Sequence, residues 1–353
     1  MSAERQIVVT SVGGRQMDIG SLRVLRYALG STIAMAVAMG INWQLSFLTP
    51  VLSLSFLASP APRPTLKHGG AFVATIAVAC LAAMTLGKYL LSYPLVYLPV
   101  ACLVLLRIFY MMLSGRSPIL TTWLLIAVLV IPLIMITSPA IANRVALGIL
   151  TGAAATLAVV WLTYGLLPDP PGAYGPDSAA GSQTALPPAI ERFKKATVAT
   201  LVVLPVFVLF YAFRMQSALL ILVFVALLSA QPGFASDFKA GGALIAGNVM
   251  GGVAAIIMYE LLSMVPEYYF LILTTLLAGL VFGRKVFSGR PAAKLYAMAF
   301  STLLLVIGST TAGGTGEAGS KVYTRVVQIA LAVIWVVLAS GVADRFVRRK
   351  EVV

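Results

Sequence analysis

Apolar runs of about twenty residues, separated by short polar or Pro-containing breaks, recur along the whole chain. A helix of about 20 apolar residues crosses the hydrocarbon core of a bilayer. The runs predict spans over residues 23–42, 44–58, 68–89, 94–113, 118–137 and 142–167. A second series covers 193–213, 216–231, 239–262, 266–284, 292–309 and 321–346. The expected fold class is all-α, a polytopic membrane protein with about 12 transmembrane helices. The second and eighth runs are short, so each crosses incompletely or is completed by its polar flank.

The order of features is written twice. Leu25–Val73 and Phe193–Leu244 each begin with basic residues (Arg26; Lys194 and Lys195) and continue into an apolar run. A polar break follows, Asn42-Trp43-Gln44 in one and Arg214-Met215-Gln216 in the other, and then a second apolar run. Both end in a Pro-containing loop and a Lys-x-Gly-Gly step, Lys67-His68-Gly69-Gly70 and Lys239-Ala240-Gly241-Gly242. Ser114-Gly115-Arg116 answers Ser288-Gly289-Arg290, and Asn143-Arg144-Val145 answers Thr324-Arg325-Val326. Six spans per copy is an even number, so both copies enter from the same side. The repeats are then parallel, related by a pseudo-two-fold axis along the membrane normal, with the pathway expected between them.

This divides the chain into a cytoplasmic segment 1–22, a first six-helix repeat 23–167, a linker 168–190, a second repeat 191–346 and a tail 347–353. The linker is Pro-rich and reads as a flexible cytoplasmic connector. Composition agrees with a membrane protein, with 60% hydrophobic and 10% charged residues and a mean hydropathy of +0.99. The formal net charge of +14 is spread in short clusters between spans, not along a basic face, which argues against a nucleic-acid partner. With the N-terminus in the cytoplasm, 19 Lys and Arg residues fall inside and five outside (Lys88, Arg144, Arg214, Lys321 and Arg325). That bias places both termini in the cytoplasm. Cys80 and Cys102 sit within apolar runs and read as small core residues.

Charged residues within spans are the first candidates for function, because burying them in a bilayer is costly. Arg144 and Arg325 occupy matching positions near the outer ends of the sixth and twelfth spans. Either they approach one central cavity, where planar guanidiniums suit carboxylates, or they snorkel to outer headgroups. Arg107, in Leu105-Leu106-Arg107-Ile108, either lines the pathway, forms a buried ion pair or snorkels inward, and Arg284 is its approximate counterpart. Glu260 stands where the first copy has Lys88, which suggests an ion pair between copies, a proton-handling carboxylate or an outer-interface residue. Asp237 either caps the ninth helix or handles protons. His68, the single histidine, is either a proton site or structural. The paired glycines 69–70 and 241–242 permit close approach of the third and ninth helices. Trp43, Tyr110, Trp123 and Trp161 either stack on a ring-shaped solute or anchor the protein at the interface. The Gly-rich stretch 308–319 lacks the Gly-Lys-Ser/Thr ending of a P-loop. No metal-ligand cluster or nucleophile–base set stands out, and no cofactor or enzymatic activity is expected.

The duplicated six-span plan, the Arg26-Tyr27-Ala28-Leu29-Gly30 opening, the Pro-rich first inner loop with Lys67-x-Gly-Gly and the short second span resemble the fusaric acid resistance superfamily. That superfamily includes aromatic acid exporters, and the nearest resemblance is to its compact bacterial branch, known as a domain of unknown function. The resemblance covers roughly residues 20–347. It implies outward transport of small organic or aromatic acid anions across the bacterial inner membrane, driven by the proton-motive force. It also implies a periplasmic adaptor of the HlyD-like membrane fusion type as partner. Plant malate channels share a related six-helix unit, assembled as dimers around an arginine-lined pore. By that analogy the chain is a fused pseudo-dimer with Arg144 and Arg325 along the anion path. A passive anion channel and a non-transporting scaffold for an efflux assembly are the competing expectations.

Overall fold

The computed structural model describes residues 10–12, 15–17, 19–41, 45, 47–59, 62–116, 118–170, 187–215, 219–229, 238–311, 327–328, 330–332 and 334–342. Apart from a short antiparallel hairpin, β1 (Thr10–Val12) and β2 (Arg15–Met17), the regular structure is helical. The first six helices are α1 (Ile19–Ile41), α2 (Leu48–Ala58), α3 (Leu66–Leu90), α4 (Pro94–Leu113), α5 (Pro118–Met135) and α6 (Pro139–Leu166). They are followed by α7 (Ala189–Phe213), α8 (Leu219–Ser229), α9 (Phe238–Met264), α10 (Tyr268–Val286), α11 (Ala293–Thr311) and α12 (Ala330–Val342). Among the described residues, eight helices are long and apolar enough to cross a membrane: α1, α3, α4, α6, α7, α9, α10 and α11. The chain is therefore a multi-pass membrane protein by the length and composition of its helices. The other four are shorter. Both α2 and α8 have 11 residues, about 16 Å of helix, roughly half the bilayer core.

Two compact units emerge, and neither coincides with a half of the sequence. Unit 1 comprises Met1–Gly69, Ala154–Thr184 and Met250–Gly314; unit 2 comprises Gly70–Ala153, Ala185–Val249 and Thr315–Val353. Each draws helices from both halves.

In unit 1, α1 packs on α10 and α2, and α11 packs on α10, α2 and α1. The α1–α10 contact is close because α10 turns glycines toward α1. A Cβ on Gly279 would lie 2.8 Å from the Cα of Ala28, and one on Gly283 would lie 3.3 Å from the Tyr27 ring. Tyr27 is buried with its ring edge-on to Phe287 and tilted against Phe300, at 5.6 and 5.5 Å between centroids. At the other end of the pair, the Tyr268 hydroxyl donates to the Ala36 carbonyl at 2.6 Å. Gly251 of α9 meets the Ala299 backbone and Thr302 of α11.

The first Gly-Gly step also works in unit 1, against a different partner from the expected ninth helix. A Cβ on Gly69 would lie 2.7 Å from the Trp161 ring of α6, while one on Gly70 would meet nothing. The Trp161 indole N–H donates to the Pro64 carbonyl at 2.8 Å, pinning the start of α3 to α6. Trp161 is thus committed within the protein and does not serve as an interfacial anchor through its N–H. The side chains of Gly241 and Gly242 lie outside the described residues.

In unit 2, α7 packs on α4 and α8, and α5 packs on α4, α8 and α7. The side chains here are bulky. Tyr97 of α4 stacks on Tyr211 of α7 at 5.4 Å and tilts against Phe207 at 6.2 Å. Leu105 and Phe109 continue the buried stripe of α4. Trp335 of α12 donates its N–H to the Val202 carbonyl of α7 at 3.1 Å. Trp123 is completely buried in α5, which excludes it as an interfacial anchor. Gly115, after α4, and Gly289, after α10, both take left-handed backbone (φ 76° and 69°). A Cβ would be strained in that region, so the repeated Ser-Gly-Arg is a helix-ending turn in both places.

Candidate functional site

Unit 2 carries an open crevice of about 1100 Å³ where the ends of five helices converge. This is at the upper end of the size of small-molecule sites, roughly 300–1,000 Å³. Its polar lining is Thr85, Lys88, Tyr89, Ser92, Asn143, Tyr211 and Arg214, and Leu81, Met84 and Met135 contribute apolar wall. Among the described residues, two cations and no carboxylate line it, which gives that lining a positive field.

Local sequence explains how each element reaches this point. Lys88 lies in the last turn of α3, where a cation faces the negative end of the helix dipole, and its ammonium stands 5.6 Å from the Tyr89 ring centroid. Pro94 starts α4 at a position where its missing N–H costs nothing, leaving a tight connection from Leu91 to Tyr93. The Tyr211 hydroxyl donates to the Leu91 carbonyl at 2.9 Å, tying the end of α7 to that connection. Gly87 lets α3 approach α5, since a Cβ there would lie 2.7 Å from the sulfur of Met135.

Arg214 ends α7 in a left-handed conformation (φ 51°, ψ 41°), and its backbone N–H donates to Phe210. It is the only non-Gly residue with positive φ among the described residues. This position usually belongs to glycine, and an L-residue there carries about 1–2 kcal/mol of strain. An arginine held in a glycine's conformation at a crevice wall is the kind of outlier that marks function.

Unit 1 holds a second charged group of a different kind. Arg26, in the second turn of α1, is only 2% exposed. Its Nη1 pairs with the Asp169 carboxylate at 2.7 Å, and its Nη2 donates to the Leu167 carbonyl at 2.7 Å. The guanidinium lies 4.2 Å over the Tyr164 ring, and Nε has no hydrogen-bond partner. Asp169 is in the connector that the sequence reads as flexible, and its carboxylate is anchored on Arg26 of α1. The connector residues 171–186 lie outside the described part.

The predicted site residues that are described fall elsewhere. Arg144 is exposed in the second turn of α6, beside the crevice residue Asn143 but not itself part of the lining. Arg107 is exposed on α4 and is likewise absent from the lining. Glu260 is exposed on α9, and Arg284 is exposed near the end of α10. His68 is exposed in the first turn of α3, its Nδ1 2.6 Å from the Thr65 hydroxyl, which also accepts the His68 backbone N–H. That arrangement caps the helix. Arg325 and Asp237 lie outside the described residues, as does Trp43. Among the described residues, no group of three or more His, Cys, Asp or Glu gathers as a metal site.

Sequence reasoning missed both charged groups. Lys88 was legible as an outer cation and as the counterpart of Glu260, and Arg214 only as an outer cation; nothing in the letters marks Arg214 as left-handed or as a neighbour of α3. Arg26 and Leu167 are 141 residues apart, and no local signal joins them.

Among families of proteins, one described as "Protein of unknown function (DUF2955)" matches residues 23–163. No curated protein and no solved structure matches the chain.

Proposed function

We propose that this chain moves small organic anions across the bacterial inner membrane, with the crevice of unit 2 as a station on the path. The observation that carries this reading is a positive lining, Lys88 and Arg214 with no carboxylate among the described residues, set where α5 and four membrane-length helices converge. Lys88 supplies a compact point charge and Arg214 a planar fork of donors, a combination suited to a carboxylate. Asn143, Ser92 and Tyr211 add neutral polar groups for orientation. Arg144, next in sequence to Asn143, is an auxiliary cation on the same approach, and Arg325 is its counterpart in the second copy. Under the Lys and Arg bias the crevice opens on the periplasmic side, where an outward-moving anion is released.

The two-repeat architecture is part of this reading. Exchanging α1, α2, α10 and α11 for α7, α8, α4 and α5 turns each helix pairing of unit 1 into a pairing of unit 2. The left-handed Gly115 and Gly289 correspond in the same way. Two parallel six-helix repeats that exchange helices would account for both observations. The resemblance to the fusaric acid resistance superfamily adds the expectation of a HlyD-like periplasmic adaptor and of proton-motive drive.

A passive anion channel is the second reading, favoured by a described lining with no carboxylate to carry a proton. Counterflow of a radiolabelled aromatic carboxylate in proteoliposomes tests both. Saturable exchange that falls at least tenfold in the Lys88→Gln, Arg214→Gln double variant supports transport through the crevice. Undiminished exchange in that variant removes the crevice from the path. Current independent of a proton gradient would replace the driven exporter by the channel.

A further inference from the structure

The crevice has a second property besides its charge: its cationic end runs directly into an apolar wall that is exposed among the described residues. On α3 the lining residues Leu81, Thr85, Lys88 and Tyr89 belong to one exposed face. That face continues to Val78, and Val78, Leu81 and Tyr89 are each more than 60% exposed. In a membrane-length helix, an uncovered apolar face of this kind meets acyl chains, not water. From Lys88 to Leu81 is seven residues, about 10 Å along the helix axis. Met84 and Met135 line the crevice on that path, and their unbranched thioethers adapt to flexible apolar chains. A small hydrophilic anion would use Lys88 and Arg214 and leave the remaining wall unfilled.

Resting on the anion reading above, we infer that the crevice takes amphiphilic anions. The head is held by Lys88 and Arg214, and an apolar tail of about eight methylenes lies along Leu81, Met84 and Met135. The ligand enters sideways from the bilayer past the open face of α3. The same chemistry is offered by a free long-chain carboxylate and by an anionic lipid with its headgroup at this level.

The test is calorimetric titration of the chain in phosphatidylcholine nanodiscs with acetate, hexanoate and decanoate, subtracting empty nanodiscs. Each buried methylene is worth about fourfold in affinity. Decanoate is therefore expected to bind at least tenfold more tightly than hexanoate. Leu81→Gln and Met84→Gln should each shrink that ratio severalfold. The Lys88→Gln, Arg214→Gln double variant should weaken all three ligands at least tenfold. Equal affinities for the three carboxylates, with binding still lost in the double variant, would overturn the amphiphile inference and leave anion transport standing. Tail-dependent binding without counterflow would overturn transport and support the inference. No binding of any carboxylate would overturn both. A repeat with phosphatidylglycerol in the nanodiscs assigns the source. Tenfold weaker decanoate binding would identify a lipid head as resident, and unchanged binding would identify the free carboxylate; both require the site inferred here.

Discussion

Aligning Ser114-Gly115-Arg116 on Ser288-Gly289-Arg290 places Leu105 opposite Gly279 and Phe109 opposite Gly283. In unit 1 those glycines bring α10 onto Ala28 and Tyr27 of α1 with almost no space between backbones. In unit 2 the same positions are filled by large buried side chains of α4. The pairing scheme of the helices is the same in both units. The contact chemistry is not: one interface depends on missing side chains, the other on their volume. The charged groups diverge in parallel. Unit 1 buries its arginine in an ion pair with Asp169, whereas unit 2 leaves Lys88 and Arg214 exposed along a crevice. One pattern of packed helices thus carries a closed polar lock in one unit and an open cationic surface in the other.

The sharpest way to break this comparison is at the lock. Asp169→Ala leaves the buried Arg26 guanidinium without its countercharge. Breaking a buried pair from one side costs about 3–5 kcal/mol, and the partial exposure of Asp169 (22% for its side chain) favours the lower end. Thermal unfolding in detergent should show a large drop in midpoint. A midpoint unchanged from wild type would mean the pair contributes nothing to stability. Adding Arg26→Met to Asp169→Ala should recover part of the loss, because the orphaned charge is then gone.

Volume changes at the aligned positions come next, with opposite chemistry expected to hurt each unit. Leu105→Ala removes a fully buried side chain and should cost about 2–5 kcal/mol. Gly279→Ala adds one methyl where the nearest obstacle is backbone, and should cost about 1–3 kcal/mol through overpacking. Chemical unfolding of both variants checks the pair. If Gly279→Ala were neutral, the close approach of α1 and α10 would not require glycine.

The smallest effect carries the most information about function. Arg214→Gly relieves the left-handed strain and should stabilise the chain by at most about 1 kcal/mol, while anion exchange falls. Stability up and transport down would identify a residue kept for its charge at the expense of its backbone. A loss of stability would mean the arginine side chain makes contacts that outweigh the strain.

Much of the helical plan was legible because membrane helices are specified by local composition. The eight long helices follow the apolar runs, and the shortness of α2 and α8 follows from the shortness of theirs. The second span was expected at 44–58 and α2 occupies Leu48–Ala58; the eighth was expected at 216–231 and α8 occupies Leu219–Ser229. The site was far less legible. Arg144 and Arg107 drew attention as charges in apolar surroundings, yet both are exposed and absent from the crevice lining. Lys88 reads from the sequence as the counterpart of Glu260, not as part of an anion site. Arg214 looked like part of a polar break.

The sequence alone determined which segments become helices and where the positive charge accumulates, because bilayer crossing demands backbone hydrogen bonds satisfied within each segment. It also determined the repeated Ser-Gly-Arg turns, since the left-handed conformation selects glycine locally. Only the tertiary structure decided that the compact units cut across the sequence halves, that Gly69 serves Trp161 and that Arg26 is neutralised from the connector. The same holds for the meeting of Lys88 and Arg214 at one crevice. Those outcomes depend on which helix faces pack together, and in a chain that is apolar on most faces the pattern of letters does not rank one face above another.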